Sequence, residues 1–124
     1  MKLFSVEEAN ALLPTARRIV EAVRRDHASL VAAQEGARAA AACAQHNGGM
    51  EGGADYIAAL VGLAESAGQL EALGVQLKDY ARGLIDFPSM RDGRVVLLCW
   101  QLGEGDHLEW WHDLEAGFAG RQPL

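Results

Sequence analysis

The sequence predicts an α+β domain: a short N-terminal helix and a long antiparallel helical hairpin, packed with a small antiparallel β-meander and an ordered C-terminal tail. Three observations predict it. Apolar residues recur at spacings of three and four as far as Leu73, the period shortens to about two after Gly74, and a glycine-rich run from Gln45 to Gly53 splits the helical part. A chain of 124 residues, half of them apolar, fits one domain. Residues 5–73 are assigned to helices, 75–113 to the meander and 114–124 to the tail.

Ser5 followed by Glu8 is a capping box, in which hydroxyl and carboxylate reciprocally satisfy orphan backbone donors, and Phe4 is placed to staple the first turn. A helix therefore starts at Val6. Pro14 lacks a donor and crowds the preceding turn but suits a helix start, so the first helix is expected to stop at Leu13 and a second to run from Pro14 to about Gln45. Along the latter, Ile19, Val23, Leu30, Ala33, Ala37, Ala40 and Ala44 make an apolar seam with Asp26 in its gap. The alanine half lets a neighbouring axis come closer. After the glycine run, a further helix from about Ala54 to Leu73 carries Ile57, Leu60, Val61, Ala64, Ala67 and Leu70 on one side, with Gly62 and Gly68 as weak points and Gly74 as its stop.

A short connection favours an antiparallel hairpin, and two helices alone bury one stripe each. The hairpin is expected to pack both on the C-terminal segment and on a second copy, giving a homodimer with a four-helix bundle. His27 lies on or beside the seam between Val23 and Leu30, as a hydrogen-bonded interface histidine or, alternatively, a ligand or pH switch. Arg17, Arg18, Arg24 and Arg25 interleave with Glu21 and Asp26 as a solvated face, the alternative being an anion site.

Strands are expected over Val75–Lys78, Leu84–Ser89, Arg94–Leu102 and Leu108–His112. Asp92-Gly93 signals a type I′ hairpin, which needs positive φ at both places. That turn fixes a register: Arg91 faces Arg94, Phe87 faces Leu98, Asp86 faces Cys99 and Ile85 faces Trp100. Ile85, Phe87, Val96, Leu98 and Trp100 then share the side that meets the helices, while Leu84, Asp86, Val95, Leu97 and Cys99 share the other. A four-residue loop at Gly103–Asp106 pairs Leu102 with His107 and brings Trp110 and His112 to the side of Asp86 and Cys99. One residue more or less in that loop substitutes Trp111 and Glu109. Arg94–Leu102 is apolar on both sides, so the second side needs a cover, and the tail with Gly117, Phe118, Gly120 and Pro123 is the nearest candidate.

Lys plus Arg number 11 against 17 Asp plus Glu, a net charge of -6 whose field repels phosphate backbones, so no nucleic-acid partner is expected. Two cysteines, Cys43 and Cys99, argue for reduced thiols rather than a disulfide scaffold. The start turns acidic at Glu7-Glu8 and no secretory signal is expected; Ala28–Ala44 contains Gln34, Glu35 and Arg38, so no membrane span is expected either. The expected setting is cytoplasmic.

Thiol, imidazole and carboxylate are the parts of a cysteine nucleophile, but Cys99 lies in a strand apolar on both sides, where a buried thiol is inert. The same Asp86, Cys99 and His112 are weak candidates for a metal, with His107 or Glu109 as added ligands, although no Cys-x-x-Cys or His-Glu-x-x-His spacing is present. A third use is recognition of a small anionic ligand or protein partner, with Trp110 or Trp111 as a wall, His112 and Asp86 as polar contacts and Arg121 as a charged fork. Against it, Arg121 can neutralise Asp86, Asp113 or Glu115, and Trp100 with Trp111 can fill the core. Gly48-Gly49 and Gly52-Gly53 follow no strand and make no phosphate loop. The leading expectation is a dimeric non-catalytic binding module without a cofactor; the alternatives are a metal-assisted hydrolase built on His112, Asp86 and Cys99, and an assembly scaffold.

The run Phe4-Ser5-Val6-Glu7-Glu8-Ala9-Asn10-Ala11-Leu12-Leu13-Pro14, then Gly83-Leu84-Ile85-Asp86-Phe87-Pro88, Leu98-Cys99-Trp100, and Trp111-His112 with Gly117-Phe118-Ala119-Gly120-Arg121 resemble the uncharacterised bacterial family catalogued as domain of unknown function 2203. The resemblance runs nearly end to end. It implies no activity, substrate or cofactor.

Overall fold

The computed structural model describes residues 1–43 and 53–124. The glycine-rich connection as far as Gly52, and Ala44 at the end of the seam, lie outside the described residues. The elements in order are α1 (Val6–Cys43), α2 (Gly53–Leu73), β1 (Gln76–Asp79), β2 (Leu84–Arg91), β3 (Arg94–Gln101), β4 (Trp110–Asp113), a 3-10 turn (Phe118–Gly120) and β5 (Gln122–Pro123). Two packed helices therefore precede an antiparallel sheet of order β1-β2-β3-β4-β5.

The capping box forms as read: the Ser5 amide donates to Glu8 Oε1 and the Glu8 amide to Ser5 Oγ, both at 3.0 Å. These two bonds hold the Glu8 carboxyl below its usual range. Phe4 does not act only as a staple; it is buried edge-on against Phe87 at 5.5 Å. The expected break at Pro14 does not occur, because α1 runs through it as one helix of 38 residues. An interior proline costs about 3 kcal/mol. Here Ala9, Leu13, Ala16, Val20 and Val23 form one uninterrupted, fully buried stripe across the proline, and continuing that stripe outweighs the lost hydrogen bond while Pro14 itself faces solvent.

Leu70 near the end of α2 joins Leu13, Ala16 and Val20 near the start of α1, so the two helices run antiparallel. The face α2 turns inward matches the expected one at Leu70 but not in its first half. Ala59, Ser66 and Leu70 are buried, whereas Ile57, Leu60 and Val61 are 62%, 42% and 50% exposed. Close approach decides this: Asp26 of α1 lies so near Gly62 that a Cβ there would overlap its carboxylate, and small residues are what such a contact admits.

In the sheet, Asp92 (φ 52) and Gly93 (φ 77) make the expected turn, and Arg91↔Arg94, Phe87↔Leu98, Asp86↔Cys99 and Ile85↔Trp100 all pair as read. Pro88 is tolerated inside β2 because β1 reaches only to Asp86 along that edge; the Phe4 amide instead donates to the Pro88 carbonyl. Ile85, Phe87, Val96, Leu98 and Trp100 join the helices in the core, with Trp111 opposite Leu98. Gly83, at φ 64, lets the β1–β2 turn pass under α1; an added Cβ would lie 2.8 Å from Val20 Cγ1 and 2.9 Å from Leu102 Cβ. No helix among the described residues is long and apolar enough to cross a membrane.

Candidate metal centre

Asp86, Cys99 and His112 come from three neighbouring strands, β2, β3 and β4, and sit on the side of the sheet turned away from the helices. Cys99 stands opposite both Asp86 and Trp110, and His112 stands opposite Leu97. Because side chains alternate along a strand, all of these project to one side. The register across the Gly103–Asp106 loop is thus the one that gathers Trp110 and His112, not Trp111 and Glu109. The expected pairing of Leu102 with His107 is absent. Glu104 turns back instead, its carboxylate accepting from the Gln101 amide at 2.7 Å and its own amide donating to the Gln101 carbonyl, while the Leu108 amide donates to Asn10 on α1. Those local bonds consume the groups a longer ladder would need, yet the register of β4 is unchanged.

One ligand atom from each of Asp86, Cys99 and His112 lies within 4.8 Å of the others. The three residues are 2%, 1% and 3% exposed. His112 Nδ1 is 2.8 Å from the Asp113 carbonyl, which only accepts, so Nδ1 carries a hydrogen. Its Nε2 is then aimed at Asp86 Oδ2, 3.2 Å away. A ring lone pair and a carboxylate facing each other need a proton or a cation between them. Asp86 Oδ1 has no partner among the described residues.

Burial raises the Asp86 pKa, and only in part do the neighbouring His112, Cys99 and Lys78 counter it. Burial first, and the adjacent Asp86 charge second, push the Cys99 thiol up to about 12. Cys99 is therefore a neutral thiol at ordinary pH and no free nucleophile. A divalent cation reverses that preference, since it favours the thiolate, the carboxylate and an unprotonated Nε2 together.

The remaining candidates separate clearly. Trp110 is half-buried beside Cys99, but Trp111 is on the helix side in the main core. His107 is exposed and paired with Asp106, and Glu109 is exposed, so neither joins the cluster. Arg121 is on the cluster's side and donates to the Cys99 carbonyl at 3.4 Å. It pairs with none of Asp86, Asp113 or Glu115: Asp113 is taken by Arg94, and Arg121 grips Glu104 through Nη1 and Nη2, each at 2.7 Å. Burial alone would raise the Glu104 pKa, yet the Arg121 fork and the Gln101 amide hold it below the usual range. Glu104 is the residue sequence reasoning missed. It sits in a Gly103-Glu104-Gly105 loop with no period, and its partner is 17 residues away.

Fold and site together define an α+β domain with a buried Asp–Cys–His cluster on its sheet. The chain belongs to the family of uncharacterised conserved proteins DUF2203, whose family model matches residues 2–124. No curated protein and no solved structure gives a significant match.

Proposed function

We propose that the protein binds a divalent transition metal through the Asp86 carboxylate, the Cys99 thiolate and His112 Nε2. The observation that carries this is the His112 tautomer: Nδ1–H held by a backbone carbonyl, with Nε2 presented to a carboxylate and a thiol, is how metal-binding histidines are oriented. Mixed nitrogen, oxygen and sulfur donors suit zinc or iron(II). Three protein ligands leave one position for water or substrate, so metal-assisted hydrolysis is the reaction class that follows. The anion-recognition reading is weaker, because both terminal nitrogens of Arg121 already hold Glu104. Chelator-free protein grown with supplemental zinc is expected to contain about one metal per chain by elemental analysis, falling at least tenfold in Cys99→Ser and His112→Ala. Wild-type protein that is folded and free of metal at micromolar free zinc overturns the proposal.

The second reading, a homodimer through the hairpins, is favoured by the exposed stripe Ile57, Leu60 and Val61. α2 carries Asp55, Glu65 and Glu71 but no lysine or arginine, whereas α1 exposes Arg17, Arg18, Arg24 and Arg25. Arg17 and Arg25 also lie near Glu21 and Asp26 of their own helix, and the exposed arginines support a four-helix bundle in which α2 packs on the partner's α1. Light scattering at micromolar concentration is expected to give a dimer, and Leu60→Glu with Val61→Glu a folded monomer. A wild-type monomer refutes the arrangement.

A further inference from the structure

We infer that the C-terminal strap from Gly117 to Leu124 is the gate of the candidate metal centre, latched by Arg121 on Glu104; this rests on the metal-binding reading above. The helices cover the opposite side of the sheet, so they do not seal Asp86, Cys99 and His112. On the cluster's own side stands Trp110, with the Arg121 guanidinium 5.0 Å from its ring and bonded to the Cys99 carbonyl. Phe118 lies on that guanidinium at 4.5 Å, and Arg82, bonded to Gln101, lies on Phe118 at 4.2 Å. Trp110, Arg121, Phe118 and Arg82 thus form a ladder of alternating rings and cations along the Cys99 and Gln101 edge of the site.

The strap's own backbone is held thinly. β5 contributes only the pairs Trp110↔Pro123 and Trp111↔Gln122, and the Leu124 amide adds one bond to the Glu109 carbonyl. By contrast, β2 and β3 are joined along eight residue pairs. A segment with few backbone bonds and one dominant side-chain anchor opens at a fraction of the free energy that unfolds the domain. Gly117, at φ 64, marks the hinge. Release of Arg121 from Glu104 uncovers Trp110 and the Cys99 edge without disturbing β2 or β3, so an ion and its fourth ligand pass there.

The test uses metal-free protein in a Cys43→Ser background, which leaves Cys99 as the single thiol, and follows its reaction with an aromatic disulfide reagent. Labelling of the parent is expected to be slow and nearly independent of urea at low concentration, the signature of local opening. Arg121→Met and Glu104→Gln are expected to accelerate it by about tenfold or more, and Arg121→Lys, which keeps the charge but not the fork, by less. Zinc release to a chelator, measured in the same variants, is expected to accelerate in parallel. Labelling that is unchanged in the variants, or that rises with urea as steeply as global unfolding, overturns the gate. Accelerated labelling in proteins that bind no zinc leaves the gate standing and overturns the metal reading alone.

Discussion

Replacing Trp100 with alanine is expected to destabilise the domain by about 3–5 kcal/mol, the cost of emptying a buried aromatic site. Trp100 is 1% exposed and stands opposite Ile85 on the side of the sheet that meets the helices. Its indole also donates to the Gly105 carbonyl at 2.9 Å, so the substitution both opens a cavity and removes the bond that ties the β3–β4 loop to the core. A loss of that size is a large share of the roughly 5–15 kcal/mol that holds a typical domain together. The midpoint of thermal unfolding should fall on the order of 15 °C. Trp100→Phe weights the two contributions differently, since it retains most of the apolar volume but loses the donor entirely. Urea unfolding that shows alanine costing no more than phenylalanine would mean that the cavity collapses and that Trp100 does not organise the core.

How far the sequence disclosed this fold depends on how local the deciding interaction is. The type I′ turn at Asp92-Gly93 is set by two residues, and from it the facing of Asp86 and Cys99 follows by counting. The capping box is equally local. Pro14 misled because propensity is a local quantity, while the stripe from Ala9 to Val23 that carries the helix through it is cooperative with the whole sheet. α2 misled for a related reason. It is apolar around most of its circumference, and the pattern favours the larger residues Ile57, Leu60 and Val61, whereas contact with Asp26 at Gly62 selects the smaller ones. The loop after β3 was legible in its effect on register but not in its chemistry, since the bonds of Glu104 to Gln101 and Arg121 join positions with no shared period. Three members of the cluster could be brought together on paper; Glu104, which holds Arg121 beside Cys99, could not.

Removing His112 is expected to cost about 3–5 kcal/mol near neutral pH in metal-free protein, because it strands a buried carboxylate. The dependence on pH carries the argument. In the folded protein burial raises the Asp86 pKa above 3.8, its ordinary value, and His112 is the first of the groups that oppose the rise. A raised carboxyl pKa means that the folded state holds the proton more tightly than the unfolded chain. Its stabilising contribution is therefore complete below the ordinary value and is lost as pH climbs through the folded one. Without the imidazole the gap between the two widens, so the deficit of His112→Ala relative to wild type should grow from mildly acidic to neutral pH. The double variant Asp86→Asn with His112→Ala has no carboxyl at this position, and that component of the deficit should vanish. Urea titrations at several pH values decide the matter. A deficit independent of pH, or one that grows toward acid, would mean that Asp86 and His112 do not share a proton in the sealed site and that the interaction across 3.2 Å is not the one that defines it.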